Sequence, residues 1–422
     1  MFWFDFAWDI QNFLNQFWWQ INFALLVILV LLGYLAYKQP AYAVGLTIVL
    51  LPTYLFRSYV WFLPFTFLEL CIWVLFVGWL VNYTKTYHLT PYHWPILLIL
   101  LGSGVGLATS PNLISAAGLW KAYLLEPIMF FIVLRSVLQS SANKTVVLTA
   151  LGLSSLAVAW LAIYQKFTAF GIYEPAWTGP DARRVTAMFS SPNAVGLYLA
   201  PIIAIYSSWL LGTIKLWKIA ILKMLIIVPA LAAIFFTGSQ GAWLGLAAAL
   251  GFILFFGWNK KLTVALVMAA ITLCLIVPLT RHQLLDLALF QDASGQNRLA
   301  LWELSAVTLS QSFNHFTFGL GIGGFAQIQD AWRNPLTIEP LLYPHNILLN
   351  FWVELGLLGA LGFGWVIINF FTLAADKIKF QRDWLALGAA AAMMTIIIHG
   401  LVDVPYFKND LAVLFWIIVG LL

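Results

Sequence analysis

Charge is missing from this chain in long blocks. Residues 21–37, 65–81, 145–163, 194–211, 219–237, 242–258, 262–279, 347–373 and 385–399 carry almost none, the exceptions being Glu69, Lys223 and Glu354. Each block approaches or exceeds the ~20 residues that cross a hydrocarbon core as helix. Shorter apolar stretches lie at 41–56, 95–108, 123–134 and 411–422. Lipid offers a loose backbone no hydrogen-bond partner, so continuous apolar runs read as helices. The alternation expected of barrel strands is absent. The pattern predicts an all-α integral membrane protein with about 12–13 transmembrane helices.

Composition strengthens that reading. Of 422 residues, 63% are apolar and 9% charged, with a mean hydropathy of +0.92. A soluble domain carries about 25% charged residues, so this chain has too little polar surface to face water on all sides. No repeat, low-complexity segment or appended soluble domain is visible, and residues 1–422 read as a single polytopic membrane domain. The aromatic N-terminus, residues 1–20, has no basic n-region and is expected at the membrane interface rather than as a secretory signal. Cys71 and Cys274 both fall in apolar spans and give no disulfide framework.

The net charge of +5 matters through its placement. Loops 38–40, 82–94, 135–144, 212–223, 259–261 and 374–383 hold ten Lys and two Arg. The alternate loops 57–64, 109–120, 167–193, 238–241, 280–343 and 403–410, with their helix ends, hold six Arg and three Lys. The first set is richer in cations and its loops are shorter, which places it in the cytoplasm. Lysine suits anionic lipid, whereas the arginine fork grips phosphate with two hydrogen bonds. An anion site on the outer side is therefore expected. The long external loop, 280–343, contains a stretch from Asn297 to Thr308 that reads as a short amphipathic helix capped by Asn297. An Arg298 in its first turn would make a phosphate cradle.

Other motifs carry less chemistry. Gly319–Gly324 matches G-x-G-x-x-G but follows no strand, so a tight turn is expected rather than a dinucleotide site. Gly241 and Gly245 have the spacing of close helix packing. No close carboxylate pair and no His/Cys cluster appears, which points away from a catalytic metal and from glycosidase chemistry. Glu69, Glu126 and Glu354 lie in or beside spans, where they either touch substrate or hydrogen-bond a neighbouring helix. His345 stands where the long loop re-enters the membrane, followed by Asn346. His399 and Asp403, four apart on one helix face at the same end, either pair structurally or line the same site.

At His345 the sequence resembles the O-antigen ligase and Wzy-type polymerase family. His345-Asn346 is followed by nine residues and then Gly356-Leu-Leu-Gly359. Blocks around Arg184–Asn193, Thr237–Trp243, Arg298–Trp302, Gly319–Phe325 and His399–Asp403 follow the family order, from about residue 118 to the end. The family's usual Ser-Arg-Gly is Ser239-Gln240-Gly241 here, and Arg184 or its neighbour Arg183 is expected to replace the missing charge.

The resemblance implies a GT-C-like, metal-independent, inverting glycosyltransferase without cofactor, set in the bacterial cytoplasmic membrane with its site facing outward. Its donor would be a glycan on undecaprenyl pyrophosphate, and its acceptor the hydroxyl of a glycolipid, a second glycan or a protein. The bilayer is its surroundings, and nucleic acid has no part. His345 would be the catalytic base, and Arg298, Arg184 and Arg183 the pyrophosphate ligands. Asn346, Gln240, Trp302, His399 and Asp403 would support them. Ligase, polymerase and protein O-oligosaccharyltransferase share these motifs. A lipid-linked sugar flippase is the alternative outside the family, and it would call for internal repeats and charge near the midplane.

Overall fold

The computed structural model describes the chain apart from residues 1–2, 5–7, 61–62, 83–89, 173, 279–280, 283–284, 287–288 and 333–340. Lys85 and Arg333 of the charge partition, and part of the aromatic N-terminus, thus lie outside the described residues. About 80% of the chain is helix, as an all-α membrane protein requires. Among the described residues, seven helices are long and apolar enough to cross a membrane: Trp18–Lys38, Leu113–Val137, Ser141–Thr168, Pro192–Thr213, Trp217–Thr237, Gln240–Gly257 and Ile347–Gln381. Five more apolar helices are shorter: Pro40–Val49, Phe67–Val81, His93–Ala108, Trp384–Gly400 and Asn409–Gly420.

Local chemistry explains the ends. Ser140 caps the helix Ser141–Thr168 by accepting the Asn143 N–H, and Ala169 closes it in the left-handed conformation. Pro192 follows the cap Ser191 in the next helix, where a missing N–H costs nothing. The stretch 41–56 does not continue as one helix. It stops at Val49, passes through a 3-10 turn at Leu51–Leu55 that contains Pro52, and leaves as a strand. Three short strands, Trp3–Phe4, Phe56–Val60 and Leu63–Thr66, form an antiparallel sheet where a plain loop was expected. The stretch 123–134 is the second half of a longer path. Leu113–Trp120 runs through a π-helical turn at Lys121–Leu125 into Glu126–Val137.

The loop helix starts earlier than the sequence suggested. It spans Ala293–Ser310, capped by Asp292, whose Oδ1 accepts the Gly295 N–H at 3.1 Å. A carboxylate complements the positive helix end better than the Asn297 amide. Arg298 therefore sits in the second turn, and the expected cradle at a helix start does not form. The amphipathic reading holds, with Leu301, Leu304 and Leu309 buried together against Phe325 and Val353.

Helix packing is close at several glycines. A Cβ at Gly241 would meet the His399 ring, and one at Gly245 the Thr395 carbonyl at 3.1 Å, so these two glycines seat Gln240–Gly257 on Trp384–Gly400. The long helix from Ile347 is broken at Gly356, whose φ of 68° is left-handed. Into that break fits the short helix Phe313–Phe318 followed by Gly319, itself at φ 73°. The Trp352 indole donates to the Phe316 carbonyl at 2.7 Å, and the Leu320 N–H to Val353 at 2.6 Å. Gly319–Gly324 is thus a turn locked between two helices.

The two loop sets segregate by contact. Arg135 donates to the Gly420 carbonyl, Ser208 to Trp384, and Lys377 to Leu422, joining elements at the lysine-rich end. Loops of the arginine-rich set meet one another at the site described next.

Candidate active site

The segment before His345 leaves the long loop, and Asn346 opens the helix. The Asn346 Oδ1 accepts the N–H groups of Leu348 and Leu349, both at 3.1 Å, while its Nδ2 donates to the Leu401 carbonyl at 3.2 Å. One side chain therefore caps its own helix and ties it to the end of Trp384–Gly400. His345 is forced into the left-handed region, with φ 47°, an unfavourable conformation for a non-glycine residue. Its side chain stays about one-fifth exposed.

That backbone aims the imidazole at Asp403. The His345 Nδ1 lies 3.3 Å from Asp403 Oδ1, and the His399 Nε2 lies 4.0 Å from Oδ2. The Asn193 Nδ2 reaches Oδ2 at 3.4 Å, and the Val404 N–H donates to Oδ1 at 2.8 Å. Burial alone would raise the Asp403 carboxyl. The charge and hydrogen bond of His345, then His399 and the Val404 N–H, outweigh it and hold the group below the usual carboxylate range. His399 and Asp403 do not share a helix face as the spacing suggested. The helix ends at Gly400, before Pro405, and Asp403 sits in the loop beyond it.

Arg298 approaches the same loop. Its Nε donates to the Val402 carbonyl at 2.8 Å, one residue from Asp403. Arg184 is fixed in the same way from another side, its Nε donating to the Thr237 carbonyl at 2.7 Å. The strip 184–187 is pinned between two helix ends: Val185 donates to Phe236, Thr186 to Gln165, and Gln165 to Ala187. Burial lowers the Arg184 pKa, but a guanidinium stays protonated throughout the physiological range. For both arginines, the terminal Nη groups meet no acceptor among the described residues. Arg183 differs. Its Nε donates to Thr178 and its Nη1 to Lys166, so its fork is committed to its own loop.

Gln240 is exposed at the first position of its helix, three residues after the Thr237 carbonyl that holds Arg184. Between them Gly238, at φ 62°, turns the chain so that a Cβ there would lie 3.5 Å from the Arg184 Nε. The guanidinium thus lies against the turn where the family's usual arginine is replaced. Trp302, one turn beyond Arg298, meets Phe290 edge-on at 5.3 Å.

Residues 225–364 match the family model described as O-antigen ligase. Over this stretch the chain is similar to the O-antigen ligase and Wzy-type family. The match takes in Gln240, Arg298, Trp302, His345 and the Gly356 break, while Arg184, His399 and Asp403 lie outside it. No curated protein sequence matches the chain. The match and the apolar helices support a multi-pass membrane enzyme of the O-antigen ligase and polymerase type.

The sequence missed the pairing of His345 with Asp403 and the approach of Asn193 to the same carboxylate. Both join residues distant in the chain, and only the two His/Asp neighbours at 399 and 403 hinted at them. The intramembrane carboxylates have other partners. Glu69 binds Lys121 and accepts the Asn409 Nδ2 at 2.7 Å, and Glu126 accepts the Trp73 indole at 2.8 Å.

Proposed function

We propose that the enzyme transfers a glycan from undecaprenyl pyrophosphate to an acceptor hydroxyl by a single inverting displacement on the outer face of the cytoplasmic membrane. The observation that carries this reading is the His345–Asp403 pair. With Asp403 accepting a hydrogen bond from the Nδ1–H, the neutral imidazole presents an unprotonated Nε2, which suits a general base. The carboxylate also stabilises the imidazolium formed after proton transfer. The acceptor oxygen bonds to the anomeric carbon as the bond from that carbon to the pyrophosphate oxygen breaks. The acceptor proton passes to His345, and undecaprenyl pyrophosphate departs.

Arg298 and Arg184 support the leaving group. Each is anchored at Nε by a backbone carbonyl, which fixes the plane of the fork and leaves its outer edge for phosphate oxygens. Charge developing on the pyrophosphate would be met by these two cations, so no metal is required in this scheme. Arg184 takes the place of the cation that Gln240 lacks. Arg183 holds its loop in shape rather than binding donor.

The test pairs two variants. His345→Ala is expected to slow transfer by roughly 10²–10⁴-fold, with donor binding retained. Asp403→Asn keeps the shape but disturbs the tautomer, and should fall within about the same range. Near-normal transfer by His345→Ala, measured with purified protein and lipid-linked donor in liposomes, would remove the base from the mechanism.

A further inference from the structure

Beside the His345–Asp403 pair is a cavity of about 510 Å³, within the range of small-molecule sites. Neither Arg184 nor Arg298 is among its lining residues.

Ring contacts tie its wall to the catalytic pair. Tyr123, in the wall, meets Phe407 edge-on at 6.4 Å, and Phe407 lies 6.0 Å from Tyr343, two residues before His345. Phe407 and the wall residue Lys408 belong to the loop that carries Asp403. From another side, the strip that carries Arg184 continues into Met188, Phe189 and Ser190 of the wall. Asn193, just beyond, reaches the Asp403 carboxylate.

Three charged side chains line the cavity, and each is engaged within the protein. Glu69 binds Lys121 and accepts from Asn409 and the Thr66 N–H. The Lys408 ammonium lies 4.3 Å from the Phe189 ring centre and 4.9 Å from that of Tyr54, with the Asp410 and Asp403 carboxylates in electrostatic reach. Arg57 is engaged as well. A charged guest would give up water here without gaining a free partner, which is costly. What the wall offers a guest is uncharged. Phe65 and Tyr123 are half-buried rings, and the exposed Ser115 and Ser190 bring hydroxyls from two separate segments. A sugar ring has an apolar C–H face and a rim of hydroxyls, so it matches a wall of aromatic surface with a few polar groups.

We propose that this cavity is the acceptor subsite and that it takes an uncharged sugar ring. The C–H face of the sugar lies on Phe65 and Tyr123, and its hydroxyls bond Ser115 and Ser190. This rests on His345 being the base for the acceptor hydroxyl, since the cavity is bordered by the loop that carries Asp403 and tied by its rings to the segment entering His345. The arginines assigned to the pyrophosphate lie outside it, so donor and acceptor have separate walls.

Binding can be measured without turnover, which separates this proposal from the transfer reading. The uncharged probes are maltose, lactose and N,N′-diacetylchitobiose. Their charged counterparts are digalacturonic acid and the fully de-N-acetylated chitobiose dication. Each is titrated by ligand-observed NMR into the full chain in phosphatidylcholine nanodiscs. At least one uncharged disaccharide is expected to bind, roughly tenfold more tightly than either charged one. Ser115→Trp and Ser190→Trp fill the cavity from two exposed positions. Each should abolish sugar binding and keep the parent affinity for undecaprenyl pyrophosphate. His345→Ala should leave sugar affinity unchanged, whatever its effect on transfer. Binding by none of the uncharged sugars, or equally tight binding of a charged one, overturns the proposal. So does sugar binding that survives in either folded tryptophan variant. Displacement of the sugar by undecaprenyl pyrophosphate would assign the cavity to the donor instead.

Discussion

Gly241 offers a way to disturb the site without touching any group that does chemistry. A methyl at this position would sit 2.5 Å from the His399 Cδ2 and 2.8 Å from its Nε2, with the Val402 Cγ2 at 3.3 Å. Carbon atoms rest at about 3.5–4.0 Å, so the ring has to retreat by roughly 1 Å. His399 faces the Asp403 carboxylate, and the carbonyl of Val402 holds Arg298. The displacement therefore reaches both the group that orients His345 and the anchor of the pyrophosphate fork. A misplacement of ~1 Å costs about 10²-fold in rate, and overpacking of this kind costs about 1–3 kcal/mol in stability. Gly245→Ala is the control. Its methyl meets the Thr395 carbonyl at 3.1 Å in the same helix contact, one turn away from the site. Both variants should melt earlier than the parent, by thermal unfolding in detergent or nanodiscs. Only Gly241→Ala should lose transfer per folded molecule. A folded Gly241→Ala enzyme with the parent rate would refute the view that this helix contact sets the catalytic geometry.

Other outcomes follow from the same geometry. Arg298→Lys keeps charge but loses the fork, so it should fail nearly as badly as Arg298→Ala, by roughly 10²–10³ in turnover; full activity in the lysine variant would sink the clamp. Arg184→Ala should be equally damaging and partly rescued by Gln240→Arg, because the guanidinium lies against that turn; no rescue in a paired rate measurement argues that Arg184 acts elsewhere. With two arginines meeting the leaving group, transfer should persist in excess chelator; loss of activity restored by Mg²⁺ or Mn²⁺ would contradict this. Single cysteines at Ser294 and Gln381 should react with an impermeant thiol reagent from opposite sides of the membrane, and labelling from one side would overturn the assigned orientation.

The fold was legible where one physical term dominates. A run of uncharged residues has few options in lipid, and helices such as Ser141–Thr168 and Trp217–Thr237 appear within a few residues of the apolar blocks. Legibility failed where weak local terms compete. Asp292 and Asn297 are both acceptable caps, and the carboxylate won. Pro52 and the strands around it turned an expected span into a short helix and a hairpin. In the site, His345 stood out through its place at the membrane re-entry and its spacing to Gly356. Its partner did not, because the contact is made between two helix ends bridged by Asn346.

The break at Gly356 turns the sequence spacing into a ruler. Residues 347–355 form a rigid spoke of two and a half turns, about 13.5 Å long at 1.5 Å per residue. Its foot is keyed into the Phe313–Gly319 elbow, and its head carries the histidine. Height and bearing of the imidazole are therefore set by residue count rather than by residue identity. One residue more or fewer in the spoke would swing the head by about 100° and shift it by ~1.5 Å, away from Asp403 altogether. Side chains along the spoke can vary freely within their packing, whereas its length has a single working value.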